Sequence, residues 1–319
     1  MFQRSTDLSI QNLGIERRTL HGPFDRDAEP ALTINRGDTV IFQTLDASWG
    51  KVGRDLGEIV PEIHTDNERD QGHALTGPVA VHGAEPGDVL EIGIRSLRTG
   101  AWGWTWAGPR PWLTHYDMGL EQEARIAWRL DPDAGIATSL LDDRGLSVPL
   151  RPFMGVMGNA LAEPGRHSTT PPRRVGGNMD CRELIAGSTL WLPIEVEGAL
   201  FSVGDGHGAQ GDGEVSSTAI ECPMDRVELS FDVRRDLAVD RPCAQTPAGF
   251  LTMGFATDLD DAAKQALDAM LKHMVETYGF TRSEAMVMAS LTVQMRITQV
   301  VNQIAGVHAL LPPDAFTRR

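Results

Sequence analysis

The sequence predicts a mainly β protein with helices near its C-terminus, an α+β chain overall. Short strand-like segments alternate with Gly- and Pro-containing turns up to about residue 240, and helical periodicity follows after residue 258. Many short strands separated by turns are typical of a β-sandwich or barrel. A doubly wound parallel sheet is disfavoured, because the segments between these strands lack helical patterns.

The predicted strands follow recognisable turns. Residues 38–45 follow Asn35-Arg36-Gly37, and residues 89–97 follow the turn at residues 85–88. The clearest strand covers residues 226–234, where apolar and polar side chains alternate and predict one buried and one solvated face.

Two C-terminal helices are predicted. Apolar residues recur every three to four positions from Ala262 to Tyr278, between Asp258 and Gly279, and a second helix begins at Thr281. We expect their methionine-rich faces to pack in a core. The predicted organisation is a β-sandwich body, residues 1–245, that carries the active site, with a helical portion, residues 246–319, packed on it as one continuous unit.

Composition narrows the class of partner. The chain has 319 residues and a formal net charge of −15, so a nucleic acid backbone would be repelled by most of the surface. No apolar stretch reaches the length of a signal peptide core or a membrane span, which predicts a cytoplasmic protein without a membrane partner. Three cysteines without a CxxC pair predict reduced thiols.

Residues 176–221 are dense in glycine and acidic side chains. Asp205 and His207 are two positions apart, so an extended backbone would place both side chains on one side. A carboxylate and an imidazole together are suitable ligands for a zinc-like ion, and the neighbouring glycines would let the backbone bend around it. The alternative is a solvated acidic turn, because such ligands have no fixed spacing.

Two longer motifs in this segment are similar to sequences of a known family. GGNMD at residues 176–180 and LPIEVEGALFSVGDGHGAQGDGEVSSTAIE at residues 192–221 resemble the signature of the acetamidase/formamidase family. Further similarity covers most of the chain in the same order, at Asp46 and at residues 75–79, 83–88, 284–285, 290, 296–297 and 300–302.

The resemblance implies hydrolysis of short amides such as formamide or acetamide, and some relatives open lactam rings. It also implies a jelly-roll-type β-sandwich with added helices, a homodimer or higher homo-oligomer, and a bound divalent metal, with zinc expected. Gly208 departs from the alanine common after the histidine. Residues 101–112 hold four of the seven tryptophans and form either an apolar wall of the substrate site or a subunit contact.

Site residues are assigned with this resemblance in view. The expected metal ligands are Asp180, Asp205 and His207, with Asp46 as a weaker fourth. Glu214 is expected to act as general base toward water and as acid toward the leaving amine. Asn178 would bind the amide or the oxyanion, and His73 would close the pocket. Structural alternatives are a turn cap for Asp180, orientation of His207 by Glu214, and a structural hydrogen bond for His73.

Two alternative hypotheses about the function remain. A serine-nucleophile amidase would use Ser202, Ser216 or Ser217, although the chain has no G-x-S-x-G elbow. A non-catalytic jelly-roll module would bind a ligand or a structural Ca²⁺ through the carboxylates.

Overall fold

The structure is a computed structural model that describes residues 8–63, 68–109, 117–141 and 145–316. The first strands are β1 (Ile10–Leu13), β2 (Leu20–His21), β3 (Phe24–Asp25), β4 (Leu32–Ile34), β5 (Thr39–Thr44), β6 (Leu75–Val81), β7 (Val89–Thr99) and β8 (Trp102–Ala107). Next come β9 (Ala124–Asp131), β10 (Ile136–Ser139), β11 (Ser147–Pro149), β12 (Phe153–Gly158), β13 (Arg166–His167), β14 (Pro172–Arg173), β15 (Gly176–Asn178) and β16 (Thr189–Pro193). The last are β17 (Phe201–His207), β18 (Glu221–Cys222), β19 (Met224–Arg234), β20 (Cys243–Thr246), β21 (Gly249–Ala256), β22 (Gln294–Gln299) and β23 (Ala305–Leu311). The helices are α1 (Lys51–Asp55), α2 (Leu259–Tyr278) and α3 (Arg282–Thr292).

Two large sheets form the body. The nine-stranded sheet has the order β1-β5-β19-β7-β16-β20-β21-β23-β22. The main path of the twelve-stranded sheet is β11-β10-β9-β8-β18-β17-β12-β15-β14, and β6 joins β17 to β2 and β4. In the ranges given above, strand pairs are antiparallel apart from β1 with β5 and β4 with β6.

The main core lies between the two sheets. Phe42 and Phe231 of the nine-stranded sheet meet Phe201 of the twelve-stranded sheet edge to face, with ring centroids 5.2–6.4 Å apart. Each such contact adds about 0.5–1.5 kcal/mol beyond the burial of area. This cluster fixes the start of β17, the strand that ends in Asp205 and His207.

The C-terminal helices pack on the nine-stranded sheet. Asp258 caps α2 by accepting hydrogen bonds from two backbone amides, and Gly279 ends it in the left-handed region. Thr281 and Glu284 form the capping box of α3. The apolar face of α2 is buried against β21 and β23.

The prediction of a mainly β fold with C-terminal helices is confirmed. The predicted strands at residues 38–45, 89–97 and 226–234 correspond to β5, β7 and β19. The region after residue 246 also contributes β21, β22 and β23, which complete the nine-stranded sheet beside the helices. The boundary at residue 245 stays a prediction.

One detail differs from expectation, and one predicted segment is only partly described. Met270 and Met274 of α2 are buried as predicted, but Met286 and Leu291 of α3 are 49% and 75% exposed, because only one narrow face of α3 meets α2. Trp112 of the tryptophan-rich segment lies outside the described residues. No helix of the described residues is long and apolar enough to span a lipid bilayer.

Candidate metal centre

The candidate site forms where three neighbouring strands meet. Strand β12 pairs with β17 on one side and with β15 on the other. Asp205 and His207 lie at the end of β17, and Asp180 follows directly after β15. The backbone carbonyl of Gly155 in β12 accepts hydrogen bonds from the amides of Met179 and Asp180, which holds the turn at Asp180 against β12.

Five ionisable side chains converge in the interior at this point. Ligand atoms of Asp180, Asp205 and His207 lie within 4.8 Å of one another, and so do those of His207, Glu214 and Glu221. His207 Nε2 lies 3.3 Å from Asp205 Oδ2 and 3.4 Å from Glu221 Oε2. The predicted convergence of residue 180 with residues 205–214 is therefore confirmed, and the two groups share the imidazole.

The orientation of His207 is fixed by Gln210. The Gln210 side-chain amide donates to the Asp180 carbonyl oxygen at 2.8 Å, which turns its Oε1 toward His207 Nδ1 at 2.9 Å. Nδ1 therefore carries the hydrogen and donates a hydrogen bond to Gln210 Oε1. In the neutral imidazole this leaves the Nε2 lone pair facing the carboxylates, as a metal-ligating histidine requires.

Burial controls protonation in this cluster. It raises the pKa of Asp180 to about 7 and that of Glu221 to about 8. Burial and the neighbouring Asp180 raise the pKa of Glu214 well above its usual range. Burial also opposes ionisation of Asp205 and His207, but charge attraction outweighs it. His207 lowers the pKa of Asp205 well below its usual range, and Glu221 and then Asp205 raise the pKa of His207 well above its usual range.

The same side chains fit a cation. Asp180 Oδ1, His207 Nε2, Glu214 Oε2 and Glu221 Oε2 are buried and make no hydrogen bond within the described residues. Buried polar atoms without partners are costly, and carboxylates close together repel one another. A divalent cation would satisfy these atoms and replace the protons that the carboxyl groups otherwise keep.

Three of these acidic residues have an unusual backbone. Asp180, Asp205 and Glu214 have positive φ angles of 50°, 58° and 47°. The left-handed region is uncommon for residues with a side chain and costs on the order of 1–3 kcal/mol at each position. The surrounding hydrogen bonds and packing must offset this cost, and the result is three carboxylates aimed at one point.

A glycine provides the space at the centre. A Cβ on Gly155 would lie 2.3 Å from Asp205 Oδ2 and 2.9 Å from both Asp180 Oδ1 and His207 Cε1. Real Cβ atoms do not approach other atoms so closely, so any side chain here would displace the candidate ligands.

The loop that carries Glu214 is anchored by the C-terminal hairpin. Arg296 of β22 donates to Asp212 at 2.6 and 2.9 Å and to the buried Glu183 at 2.7 Å. Backbone hydrogen bonds join Gly213 to Thr298 and Val300. The same hairpin brings Asn302 to Asp180, where its Nδ2 donates to Oδ2 at 3.2 Å.

A cavity of about 270 Å³ opens onto this group. It contains both predicted substrate-binding residues, Asn178 and His73. Asn178 donates to the Thr170 carbonyl oxygen at 3.0 Å, and its buried Oδ1 has no hydrogen-bond partner in the described part of the chain. The His73 ring is hydrogen-bonded through Nδ1 to the Thr169 hydroxyl at 2.9 Å.

Asp46 lies outside both groups of candidate ligands. Its carboxylate accepts hydrogen bonds from the Gly50 amide at 2.6 Å, the Ser48 hydroxyl at 2.5 Å and the Trp104 indole at 2.9 Å. These donors occupy both of its oxygens, so the role of fourth ligand predicted for Asp46 has no support in its contacts.

Sequence reasoning missed Glu221, Gln210 and Gly155. Glu221 reaches the site because β18 pairs with β17 and places it opposite His207. Only the register between the two strands reveals this. Gln210 could have been predicted from the sequence. It follows His207 by three positions, so its side-chain amide can reach the imidazole within the same loop.

One predicted alternative nucleophile also has a histidine partner. Ser202 Oγ lies 2.9 Å from His21 Nε2, and His21 Nδ1 lies 3.0 Å from the Pro23 carbonyl oxygen. Burial lowers the pKa of His21 to about 4, so the ring stays neutral. Ser202 is buried and is absent from the lining of the cavity at Asp205.

Fold and site together define a mainly β protein with a buried carboxylate and histidine group that could hold a metal ion. The acetamidase/formamidase family matches this chain over residues 8–164 and 155–318. These ranges cover nearly the whole sequence. The chain therefore belongs to the acetamidase/formamidase family.

Individual relatives agree with this assignment. A formamidase of Methylophilus methylotrophus is 27% identical over 62% of this chain and 60% of that protein. An acetamidase of Mycolicibacterium smegmatis is 27% identical over 61% of each chain. The crystal structure of an acetamidase from Bacillus halodurans matches with a TM-score of 0.81 and 29% identity, over 94% of this chain and 97% of that one. The protein is accordingly an amidase, an enzyme that hydrolyses linear amides.

Replacing Gly155 tests the space at the centre. We expect Gly155→Ala to lower the affinity of the candidate site for an added divalent ion, with zinc as the probe, by about 10–100-fold, because its Cβ displaces Asp205, Asp180 and His207. Metal content and competition with a chromophoric chelator measure the effect. Gly208→Ala is the matched control, since its Cβ would meet only side-chain atoms at 3.3–3.6 Å. Equal zinc affinity in the two variants would contradict the prediction.

Removing Arg296 tests the anchor of the Glu214 loop. Arg296→Ala leaves Asp212 with only the longer 3.9 Å ion pair to Arg182, and leaves the buried Glu183 with Arg151 alone, so we expect a loss of about 2 kcal/mol in the free energy of unfolding. Urea unfolding provides the measurement. The control, Arg36→Ala, breaks a single exposed pair with Asp232 and should cost less than about 1 kcal/mol. A similar loss of unfolding free energy in both variants would show that Arg296 stabilises the protein no more than an exposed ion pair does.

Proposed function

We propose that this protein hydrolyses small carboxamides such as acetamide or formamide with the help of a divalent metal, releasing ammonia and a carboxylate. Membership of the family and the names of its relatives support the reaction. The observation that carries the metal dependence is the convergence of Asp180, Asp205 and His207 within 4.8 Å.

Asp180, Asp205 and His207 are the proposed metal ligands, and Glu221 joins them in place of Asp46. Zinc is the proposed metal, since it accepts mixed nitrogen and carboxylate ligands. When bound, such a cation lowers the pKa of a water molecule to about 7 and polarises a carbonyl group.

Glu214 is the proposed proton carrier. Its carboxylate takes a proton from the attacking water as the oxygen bonds to the carbonyl carbon, and delivers it to the amide nitrogen as the C–N bond breaks. The products are a carboxylic acid and ammonia, which balances the protons, and the acid then ionises in solution to the carboxylate. Glu214 lines the cavity and lies among the candidate ligands, which gives it access to both positions.

Asn178 is proposed to orient the substrate. Its Nδ2 donates to the Thr170 carbonyl oxygen, and its buried Oδ1, which has no hydrogen-bond partner among the described residues, is the proposed acceptor. The N–H groups of a primary carboxamide are the matching donors. His73, on the same wall, is held by Thr169 and is proposed to close the pocket.

Metal removal and a change at Glu214 test this mechanism together. We expect a strong chelator to abolish ammonia release from acetamide and formamide, and added zinc to restore it. Glu214→Gln should keep its zinc but lower kcat by about 10²–10⁴-fold, the range for loss of a general base. Asp205→Asn should lose zinc as well as activity. Ammonia release and metal analysis on the same samples provide the readouts.

The contradicting outcomes differ for each part of the mechanism. Full activity in metal-free protein would rule out the metal-assisted route. No turnover with formamide, acetamide or a lactam, together with retained ligand binding in Glu214→Gln, would instead indicate a binding module.

A serine route is the second candidate, because Ser202 and His21 form a hydrogen-bonded pair. It predicts that Ser202→Ala abolishes ammonia release and that a chelator has no effect. The metal route predicts that Ser202→Ala keeps ammonia release and that a chelator abolishes it.

We further propose a homodimer or higher homo-oligomer, as the family resemblance implies. Light scattering on the purified protein measures the assembly. The cytoplasmic location expected from the sequence stays a prediction.

A further inference from the structure

Trp104 lies beside the candidate centre. It belongs to β8, where it pairs directly with Glu221 of β18. Side chains of such cross-strand pairs share a face of the sheet and lie close together. Among the described tryptophans only Trp104 lines the cavity that contains Asp205, Glu214 and Glu221.

Asp46 fixes the position of this ring. The Trp104 indole N–H donates to Asp46 Oδ2 at 2.9 Å, and Asp46 is completely buried. The Gly50 amide and the Ser48 hydroxyl hold the same carboxylate. A ring locked in this way loses little further conformational freedom when a ligand packs against it.

The neighbouring tryptophans have other contacts. Trp102 and Trp106 are buried on the same face of β8. The Trp102 ring packs against Gly53 of α1, and the Trp106 ring packs against Gly108. Trp104 therefore supplies the aromatic surface at the cavity, while its neighbours hold the strand in place.

The cavity exceeds the needs of the smallest amides. Its volume of about 270 Å³ is that of roughly nine water molecules in the liquid. Acetamide has only a methyl group on its carbonyl carbon and would leave much of this space to water. A planar apolar group attached to the same carbon would fill the space and cover the indole.

We propose that Trp104, held in place by Asp46, is the specificity-determining residue of this site and selects aromatic primary carboxamides such as benzamide over acetamide. The proposal rests on the proposed function, because it places the amide group between Asn178 and the candidate centre. Asp46 acts as a positioning residue through its hydrogen bond to the indole.

Turnover of two amides tests the proposal. We expect the ratio of kcat/KM for benzamide to that for acetamide to exceed one in the unaltered protein and to fall about tenfold in Trp104→Ala. Trp104→Phe keeps an aromatic ring and should retain most of the preference. Asp46→Asn weakens the support of the indole and should lower the ratio without removing zinc.

Trp191→Phe is the matched control. Trp191 also donates its indole N–H to a carboxylate, Glu91 Oε2 at 2.8 Å, but it lies in β16 of the other sheet and away from the cavity. Its substitution should leave the ratio within about twofold of the unaltered protein. Circular dichroism of each variant shows whether the fold is kept.

A binding experiment separates this proposal from the proposed function. Calorimetry with benzamide and acetamide is done in Glu214→Gln and in Glu214→Gln combined with Trp104→Ala, so that turnover does not interfere. A binding preference for benzamide that is lost in the Trp104→Ala variant supports the proposal, whether or not any amide is hydrolysed. Absence of amide hydrolysis would contradict only the proposed function. An unchanged ratio in Trp104→Ala, in turnover and in binding, overturns the proposal while leaving amide hydrolysis intact.

Discussion

Burial of four carboxyl groups around one imidazole is the constraint on which this structure depends. Asp180, Asp205, Glu214 and Glu221 all lie in the interior, and His207 is the cationic partner that their electrostatic interactions share. Such a cluster is stable only if protons or a cation offset the repulsion. A divalent ion does this best, because it satisfies the unpaired oxygens as well as the charge.

The fold brings these groups together by close strand contacts and local strain. Strand β12 carries Gly155, which leaves room for the carboxylates of both neighbouring strands. Asp180, Asp205 and Glu214 adopt left-handed backbone conformations that only a well-packed surrounding can hold. The aromatic core at Phe201 and the anchor at Arg296 contribute to that surrounding.

Local patterns predicted much of this arrangement. The capped helices α2 and α3 and the alternating strand β19 were evident because their signals lie within a few residues. The closeness of Asp205 and His207 followed from a spacing of two in a strand. Glu221 and Gly155 could not be found in this way, because their positions depend on the registers of β18 and β12 with β17. Strands β21 and β23 were missed beside the stronger helical signal.

The hydrogen bonds of Asp46 explain its place in the structure better than its position in a family motif does. The resemblance suggested Asp46 as a weaker fourth metal ligand, but a motif cannot say which atoms its carboxylate contacts. Its partners are a backbone amide, a hydroxyl and the Trp104 indole, and all three donate hydrogen bonds to its oxygens. A buried carboxylate whose oxygens are satisfied in this way fixes the geometry around it. Asp46 thus holds the Trp104 ring, whereas the carboxyl oxygens of Asp180, Glu214 and Glu221 that lack hydrogen bonds within the described residues can take part in chemistry.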